Sequence, residues 1–206
     1  KKLNQYKMVG KFVTKKNSLK KKEDEISFLK SIKLVPKLIK VDNSVISRAS
    51  QMTLKTNQFN FRTKRYSESN ISELIKNKDN IIFLVKLKDI FGDHGIISMF
   101  ILKKINKDYC FLDTMLMSCR VLGRYLDYWI LNQCRALAMK KSYKYIISEF
   151  ITTDKNRTFE ISLKNNGFTF IDNIYVKSKK LNLNCKHRMY LSNVKKYISD
   201  QEKIFN

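Results

Sequence analysis

The stretch from Asp113 to Phe168 constrains the fold of this chain more than any other part of its sequence. An apolar strand leads into a turn that contains Gly123, and an amphipathic helix over 125–140 follows the turn. A second apolar strand and a short helix that ends at Gly167 complete the stretch. A turn that exposes backbone N–H groups before a helix N-terminus favours bound anions, so this order indicates a domain that binds a phosphate-bearing ligand.

The residues before this stretch include two β-rich runs, 81–87 and 96–104, which predict a hairpin. A third strand over 109–118 follows a tight turn, and alternation at Phe59 and Phe61 predicts one more short strand. Hairpins followed by a β-α-β-α-β order predict an α+β domain. Its central sheet would be mixed, mostly antiparallel and flanked by helices.

The first part of the chain differs from the rest in composition. Residues 1–41 are predicted to form a basic linker and docking segment, and residues 42–206 the main domain. The beginning of the segment is rich in lysine with few apolar anchors, and the chain starts with Lys1 instead of methionine. We therefore expect a piece of a longer protein whose N-terminal domain is missing.

Lysine and arginine total 42 against 18 acidic residues, which gives a net charge of +24. Such an excess is typical of proteins that bind an acidic partner or nucleic acid. Lysine is, however, spread along a sequence rich in asparagine and isoleucine, as an AT-rich genome produces. Because no helix-turn-helix, zinc-finger or ribonucleoprotein signature occurs, nucleic acid is the weaker interpretation.

The four cysteines and two histidines lack metal-ligand spacing, so no metal is expected. No apolar run reaches the roughly 18–20 residues that span a bilayer, and the start has no signal-peptide core. We expect a cytoplasmic protein with reduced thiols and no membrane partner.

A motif around the central turn points to a superfamily. Arg120, Gly123 and Tyr125 occupy the three defining positions of the Arg/Gln-x-x-Gly-x-Gly/Ala motif of the GCN-five-related N-acetyltransferases (GNAT), and the first two agree. In that superfamily a later helix begins with Asn and is followed by Gly-Phe, which correspond here to Asn156 and Gly167-Phe168. The chain resembles this superfamily, and the resemblance implies an acyl-CoA N-acyltransferase-like fold.

Two longer strings, Lys55-Thr56-Asn57-Gln58-Phe59-Asn60 and Ser118-Cys119-Arg120-Val121-Leu122-Gly123-Arg124, look like the C-terminal half of FkbH-like proteins. This resemblance covers nearly the whole chain. It also includes Phe28-Leu29-Lys30-Ser31, Arg48-Ala49-Ser50-Gln51, Arg65-Tyr66, Phe91-Gly92-Asp93, Gly95, Asp113, Glu149, Thr153 and Lys155-Asn156. The chain departs at Tyr125, where the family has Gly, and at Leu163, where it has Tyr. In the GNAT superfamily that Tyr protonates the leaving thiolate.

The resemblance to FkbH-like proteins implies transfer of an acyl group, such as a glyceryl unit, in polyketide or surface-polysaccharide biosynthesis. The cofactor would be a phosphopantetheine thioester of coenzyme A or of an acyl carrier protein. An acidic carrier protein would be the partner, and the positive charge of the chain suits it. The family also implies a missing N-terminal phosphatase-type domain, because the Asp-x-Asp motif of that domain does not occur here.

Cys119, Glu149 and His94 are the candidate catalytic residues. A thiol at a strand end beside a helix N-terminus and Arg120 is stabilised as a thiolate and can carry an acyl group. The alternative for Cys119 is a buried structural cysteine. Glu149 in a strand beside the predicted cleft and His94 in a Gly-flanked turn are candidate bases, with a strand-end acid and a surface turn as the alternatives.

The candidate donor-binding residues surround the turn, with the phosphate expected on Gly123, and are Arg120, Val121, Leu122, Gly123, Arg124 and Asn156. A polar cluster further upstream has amide groups that both donate and accept hydrogen bonds, so it is suited to a hydroxylated acyl group or to capping of neighbouring backbone. The candidate substrate-binding residues are Lys55, Thr56, Asn57, Gln58, Asn60, Asp93 and Asp113.

Two other functions remain open. A non-catalytic carrier-docking module is favoured by Tyr125 and Leu163, since each removes a feature that the chemistry uses. Charge-driven binding of nucleic acid is the third, and it predicts a steep dependence of affinity on salt.

Overall fold

The computed structural model describes residues 2–19, 21–56, 58–179, 181, 183 and 187–205. The strands are β1 (Val35–Lys40), β2 (Ile81–Asp89), β3 (Gly92–Lys104), β4 (Tyr109–Met117), β5 (Tyr145–Phe150), β6 (Thr169–Ile171) and β7 (Arg188–Asn193). The helices are α1 (Lys2–Asn17), α2 (Lys22–Ser31), α3 (Ile46–Lys55), α4 (Glu68–Lys76), α5 (Leu126–Lys140), α6 (Arg157–Asn165), α7 (Asn173–Ser178) and α8 (Glu202–Phe205).

The described strands form a seven-stranded sheet with the order β1-β2-β3-β4-β5-β7-β6. In it β4 and β5 pair in parallel, and every other neighbouring pair is antiparallel. The predicted fold class is confirmed: the chain is α+β, with a mixed, mostly antiparallel sheet flanked by helices. The predicted hairpin is β2 and β3.

Helices pack on both faces of the sheet. Leu84 and Val85 are neighbours on β2 and belong to different apolar clusters, because successive side chains of a strand point to opposite faces. The Val85 cluster includes residues of α1, α2, α5 and α6, whereas the Leu84 cluster includes residues of α3 and α4. A third cluster joins β4, β5 and α7.

The residues predicted as a docking segment pack against this domain. β1 pairs along its length with β2, and Phe12, Leu29 and Ile32 lie in the same core cluster as α5. The apolar spacing of α2 is helical, and three acidic residues in its first turn suit the helix dipole. That this segment connects to a missing domain stays a prediction.

In the described part of the chain, no helix is both long enough and apolar enough to cross a membrane.

Candidate functional site

Strands β4 and β5 separate after a short parallel pairing, which opens a gap between them. The pairing extends from Tyr109 opposite Tyr145 to Leu112 opposite Ser148. On the other side of β4, the register with β3 shifts so that Asp113 is an extra, bulged residue. The last part of β4 therefore needs hydrogen-bond partners other than β5 for its main-chain groups.

The chain's own residues 59–62, hereafter the gap-filling segment, supply those partners. The N–H group of Met117 donates to the carbonyl oxygen of Phe59 at 2.9 Å. The N–H group of Ile151 donates to the carbonyl oxygen of Phe61 at 2.8 Å. The segment thus bridges the diverging ends of β4 and β5. The short strand predicted at Phe59 and Phe61 is absent from the described residues, where one isolated bridge joins Asn60 to Leu116. Because the segment bonds to β4 at one end and to the residue after β5 at the other, it forms no continuous ladder with either strand.

The side chain of Asn156 fixes this arrangement. Its Nδ2 donates to the carbonyl oxygens of Asn60 at 3.0 Å and Ile151 at 2.9 Å, and its Oδ1 accepts from the N–H of Thr153 at 2.8 Å. Asn60 in turn forms the bridge with Leu116. Both asparagines are fully buried. Where the sequence predicts ligand-binding amides, the structure uses these two to satisfy main-chain groups.

Arg62, at the end of the gap-filling segment, links two buried carboxylates. Its Nη1 lies 2.8 Å from Oδ1 of Asp113, and its Nε lies 2.9 Å from Oε2 of Glu149. Nη1 also donates to the main-chain oxygen of Asp113 at 3.2 Å. The other oxygen of Glu149 lies 2.9 Å from Nδ1 of His187, whose side chain is 44% exposed. Glu149 thus orients a histidine that the sequence analysis did not single out.

Further groups surround the carboxylate of Asp113. Lys103 lies 3.1 Å and Lys64 lies 3.7 Å from its Oδ1, and the Tyr66 hydroxyl donates to Oδ2. Burial raises the pKa of Asp113, but Lys103, the Tyr66 hydrogen bond, Arg62 and Lys64 together outweigh burial and hold the pKa below its usual range. With the hydroxyl of Thr114, which donates to Oδ2 at 2.9 Å, five neighbouring side chains surround this ionised carboxylate.

A pocket of about 600 Å³ lies at the end of β4. Four of its side chains are cationic, and no described lining residue carries a carboxylate. Its lining residues are Arg48, Gln51, Met52, Lys55, Thr56, Gln58, Met117, Ser118, Cys119, Arg120 and Lys155. Such a lining favours a bound anion.

The thiol of Cys119 is exposed in this pocket, unlike the two other described cysteines. Burial raises the pKa of Cys110 to about 12, and burial likewise raises the pKa of Cys134. Because the thiolate is the reactive form, these two buried thiols are inert at neutral pH. The fourth cysteine, Cys185, lies outside the described residues.

Two guanidinium groups line the pocket, those of Arg48 and Arg120. Burial lowers the pKa of Arg48, and the positive charge of Arg120 lowers it further. Arg48 also donates from Nη2 to the carbonyl oxygen of Ile96 at 3.2 Å, and Arg120 donates from Nε to Oγ of Ser118 at 3.1 Å. These hydrogen bonds orient two like charges toward interaction with a common anion, whose charge would offset their repulsion.

The turn at Gly123, where the sequence predicts a bound phosphate, does not line this pocket. Gly123 has a φ of +77°, as a glycine turn requires, but Nζ of Lys16 lies 2.9 Å from its carbonyl oxygen. Arg124 is fully buried, with its guanidinium 3.7 Å from the ring of Phe12. Tyr125 has a left-handed backbone, with φ +53°, a conformation that glycine adopts without strain. Helix α1 therefore covers the turn.

His94 and Asp93 lie at the start of β3 and take part in local contacts. Nε2 of His94 is 2.8 Å from the carboxylate of Asp89, and the histidine is buried. Asp93 is 2.9 Å from Nζ of Lys86 and accepts from the N–H of Gly95. Neither residue lines the Cys119 pocket, and their predicted functional roles stay predictions.

The predicted site residues thus divide into two sets. Five of them meet in one pocket: Lys55, Thr56, Gln58, Cys119 and Arg120. The rest lie elsewhere among the described residues, namely Asn60, Asp93, His94, Asp113, Val121, Leu122, Gly123, Arg124, Glu149 and Asn156. Asn57 lies outside the described residues. The functional roles of both sets stay predictions.

Four residues with charged or hydrogen-bonding roles here were not selected as site residues by the sequence analysis: Arg48, Arg62, Lys155 and His187. Arg48 and Gln51 are three apart on α3, a spacing that places them on one helix face beside the predicted polar cluster. That spacing was the sequence signal that could have placed Arg48 in the pocket. Nothing local marks Arg62, because its partners are 51 and 87 residues away.

Comparison with solved structures decides the fold family. An acetyltransferase of the GNAT family from Staphylococcus aureus Mu50 is 16% identical, covers 78% of this chain and 100% of its own, and has a TM-score of 0.60. The fold is that of the GNAT-family N-acetyltransferases. A Vibrio cholerae spermidine N-acetyltransferase, solved with CoA and spermine, is 12% identical, covers 80% of this chain and 98% of its own, and has a TM-score of 0.57.

A third neighbour is the ribosomal-protein-S18-alanine N-acetyltransferase from Escherichia coli. It is 9% identical over 78% of this chain and 94% of its own, with a TM-score of 0.54. No protein-family model and no curated protein matches the sequence. At these identities the likeness establishes the fold and leaves the reaction to be argued from the site.

Within the described ranges, no group of three or more histidine, cysteine, aspartate or glutamate side chains has the arrangement of a metal site.

Proposed function

We propose that this domain transfers an acyl group to or from the phosphopantetheine thiol of coenzyme A or of an acyl carrier protein, with Cys119 as the carrier on the domain. The observation that supports this most is the exposed Cys119 thiol in a pocket lined by four cations. The same four cations attract a phosphate ester, so the charged end of the donor and the exposed thiol would meet in one pocket.

The chemistry needs a thiol exchange with balanced atoms. The Cys119 thiolate attacks the carbonyl carbon of the donor thioester, a new carbon–sulfur bond forms to Cys119, and the donor carbon–sulfur bond breaks. The phosphopantetheine sulfur leaves as a thiolate and takes up a proton from water. The reverse exchange delivers the group to a second phosphopantetheine thiol.

The GNAT fold supports acyl-CoA chemistry, since one neighbour with this fold was solved with CoA. Between the ends of β4 and β5, the gap-filling segment already accepts hydrogen bonds from the N–H groups of Met117 and Ile151, which favours a donor position elsewhere. A thioester would instead enter through the pocket, with its phosphate between Arg48 and Arg120.

The finer features of the proposal come from the resemblance to FkbH-like proteins. The cargo would be a glyceryl unit, the partner an acidic acyl carrier protein, and the setting polyketide or surface-polysaccharide biosynthesis. A phosphatase-type domain N-terminal to Lys1 would complete the protein. The net charge of +24 would speed encounter with an acidic carrier, an effect that salt suppresses.

Intact-protein mass spectrometry tests the proposal. The domain is incubated with glyceryl-phosphopantetheine thioester, and in parallel with acetyl-CoA. We expect one added acyl group in the wild type and none in Cys119→Ala. The buried Cys110 and Cys134 remain in the variant and serve as internal control thiols. An acyl group on another residue, or no adduct with either donor, would refute transfer through Cys119.

A second candidate is a carrier-docking module without turnover. The gap-filling segment supports it, since the rings of Phe59 and Phe61 pack 4.4 and 5.1 Å from that of Phe159 and close the gap. Leu163, where the superfamily has a tyrosine, is fully buried. Tight binding of carrier protein without any acyl exchange would favour this function over the first.

A further inference from the structure

The Cys119 pocket is richer in cations than the chain as a whole. Of its eleven described lining residues, four are lysine or arginine and none is acidic. In the whole chain, 42 of the 206 residues are lysine or arginine. A phosphate monoester carries about two negative charges, so a bound phosphate leaves part of this positive charge without a counter-charge.

Helix α3 spreads the cations along the pocket. Arg48, Met52 and Lys55 are separated by four and then three residues, so they share one face of the helix. Seven residues of helix rise about 10 Å along its axis. The two cations therefore start from positions two helical turns apart, toward opposite ends of the pocket.

Hydrogen bonds gather both guanidinium groups at one of these ends. Arg48 donates from Nη2 to the carbonyl oxygen of Ile96 at 3.2 Å. The N–H of Ser118 donates to the carbonyl oxygen of Ile97 at 2.8 Å, and Arg120 donates from Nε to Oγ of Ser118 at 3.1 Å. Arg48 and Arg120, hereafter the guanidinium end, are thus tied to consecutive residues of β3. Because the planar fork of arginine matches phosphate, this end suits the phosphate of phosphopantetheine.

A second series of hydrogen bonds places Lys155 near Lys55. Asn60 donates from Nδ2 to the carbonyl oxygen of Thr56 at 3.3 Å, and Asn156 donates from Nδ2 to the carbonyl oxygen of Asn60 at 3.0 Å. Thr56 follows Lys55 in the chain, and Asn156 follows Lys155. These two lysines, hereafter the lysine end, form no ion pair with a carboxylate of the described residues.

The part of the pocket between its two ends is apolar. Met52 is 4% exposed and Met117 is 2% exposed, and both line the pocket. The exposed thiol of Cys119 precedes Arg120 in the chain and so lies at the guanidinium end. A short acyl chain bonded to this thiol would lie over the methionines, and the long, flexible lysine side chains could reach its far end.

We infer that the pocket selects acyl groups whose far end is anionic, such as a terminal carboxylate, with Lys55 and Lys155 as the counter-charge. The inference rests on the proposed transfer through Cys119 and concerns the identity of the acyl group. A neutral group, such as an unsubstituted glyceryl unit, uses the same thiol more slowly, because it leaves the lysine end without an anion.

Two donors of nearly equal shape test the selection on the wild-type protein. Succinyl- and succinamoyl-phosphopantetheine thioesters differ in one feature, a terminal carboxylate against a neutral amide. Acylation of Cys119 is followed by intact-protein mass spectrometry. We expect the succinyl donor to react about tenfold faster, as one charged hydrogen bond allows. Equal rates, or a faster succinamoyl donor, would overturn the inference.

A pair of double variants separates the lysine end from the general charge of the chain. Lys55→Gln with Lys155→Gln should abolish the preference for the succinyl donor and leave the succinamoyl rate unchanged. The control is Lys76→Gln with Lys140→Gln, which removes the same charge from exposed lysines at the ends of α4 and α5. If the preference falls equally in both double variants, long-range attraction explains it and the lysine end has no selective role.

Binding to Cys119→Ala gives a readout that does not need acyl transfer. In calorimetry, this variant should bind the succinyl thioester about tenfold more tightly than the succinamoyl thioester. If this preference is present while the wild type forms no adduct, the proposed transfer fails and the selection of anionic acyl groups stands. Equal affinities for the two thioesters would refute the selection, even when Cys119 of the wild type becomes acylated.

Discussion

Arg62 donates a hydrogen bond from Nη1 to the carboxylate of Asp113 at 2.8 Å, and this ion pair lies where β4 and β5 separate. The same guanidinium bonds Glu149 on β5. One cation thus connects the two diverging strands across the gap that would otherwise be open. The gap-filling segment is held by charge as well as by its main-chain hydrogen bonds.

Replacement of Arg62 by methionine keeps much of the apolar volume but leaves two buried carboxylates without their shared cation. We expect Arg62→Met to lower the free energy of unfolding by about 3–5 kcal/mol in urea titrations. The matched control is Arg188→Met, whose ion pair with Glu160 is 59% exposed at the arginine and should cost less than about 1 kcal/mol. Equal losses in the two variants would argue against a special role for Arg62.

The lowered pKa of Asp113 has a pH signature. The pKa of Asp113 in the folded protein lies below its usual value of 3.8. The contribution of this carboxylate to the free energy of unfolding is therefore complete above pH 3.8, and it is lost as the pH falls through the folded pKa. The wild-type urea midpoint should fall at pH values below about 4. In Asp113→Asn this part of the pH dependence should disappear, whereas exposed Asp200→Asn should keep it. Parallel profiles for wild type and Asp113→Asn would contradict this.

The amide of Asn156 satisfies two main-chain carbonyls, one of them in the gap-filling segment. Asn156→Ala leaves both buried acceptors unpaired, so we expect a loss of about 2–4 kcal/mol in the free energy of unfolding. Asn165→Ala, an exposed position at the end of α6, the helix that Asn156 precedes, should change it by no more than about 0.5 kcal/mol. If ligand affinity falls in Asn156→Ala while stability stays the same, the ligand contact predicted from the sequence is correct instead.

Gly167 ends α6 with a φ of +75°, and a Cβ there would lie 2.5 Å from the ring of Tyr197. Gly167→Ala should therefore lower the free energy of unfolding by more than about 1 kcal/mol, through backbone strain and the ring clash. The control is Gly10→Ala in α1, where a Cβ meets no atom within 4 Å and helix propensity improves. Thermal melting of the two variants should shift in different directions.

The cations of the Cys119 pocket predict that removal of either arginine weakens the binding of a phosphate-bearing ligand. Arg48→Ala and Arg120→Ala should each weaken binding of phosphopantetheine by about tenfold, since each removes one charged hydrogen-bond donor. Lys140→Ala, an exposed cation at the end of α5, serves as the control for net charge. Calorimetry at two salt concentrations separates the local effect from long-range attraction. Equal affinities in all three variants would place the phosphate elsewhere.

Much of the fold follows from local sequence signals. The β2–β3 hairpin, the long helix α5 and the stop at Gly167 each depend on residues that are close in sequence, so periodicity and glycine placement predict them. The cap at Ser67 is another local signal, and the structure contains it as a capping box with Asn70. Part of the pocket lining could also be predicted, because Cys119 and Arg120 lie in one short sequence motif and Lys55, Thr56 and Gln58 lie in another.

The sequence by itself determined the α+β class, the β2–β3 hairpin, helix α5 and the helix end at Gly167, since these depend on neighbouring residues. Only the tertiary structure decided that the gap between β4 and β5 is filled by residues 59–62, and that α1 covers the turn at Gly123. Both arrangements join residues 50 to more than 100 positions apart. Their partners are set by shape, burial and charge in the folded chain, and no local pattern specifies them.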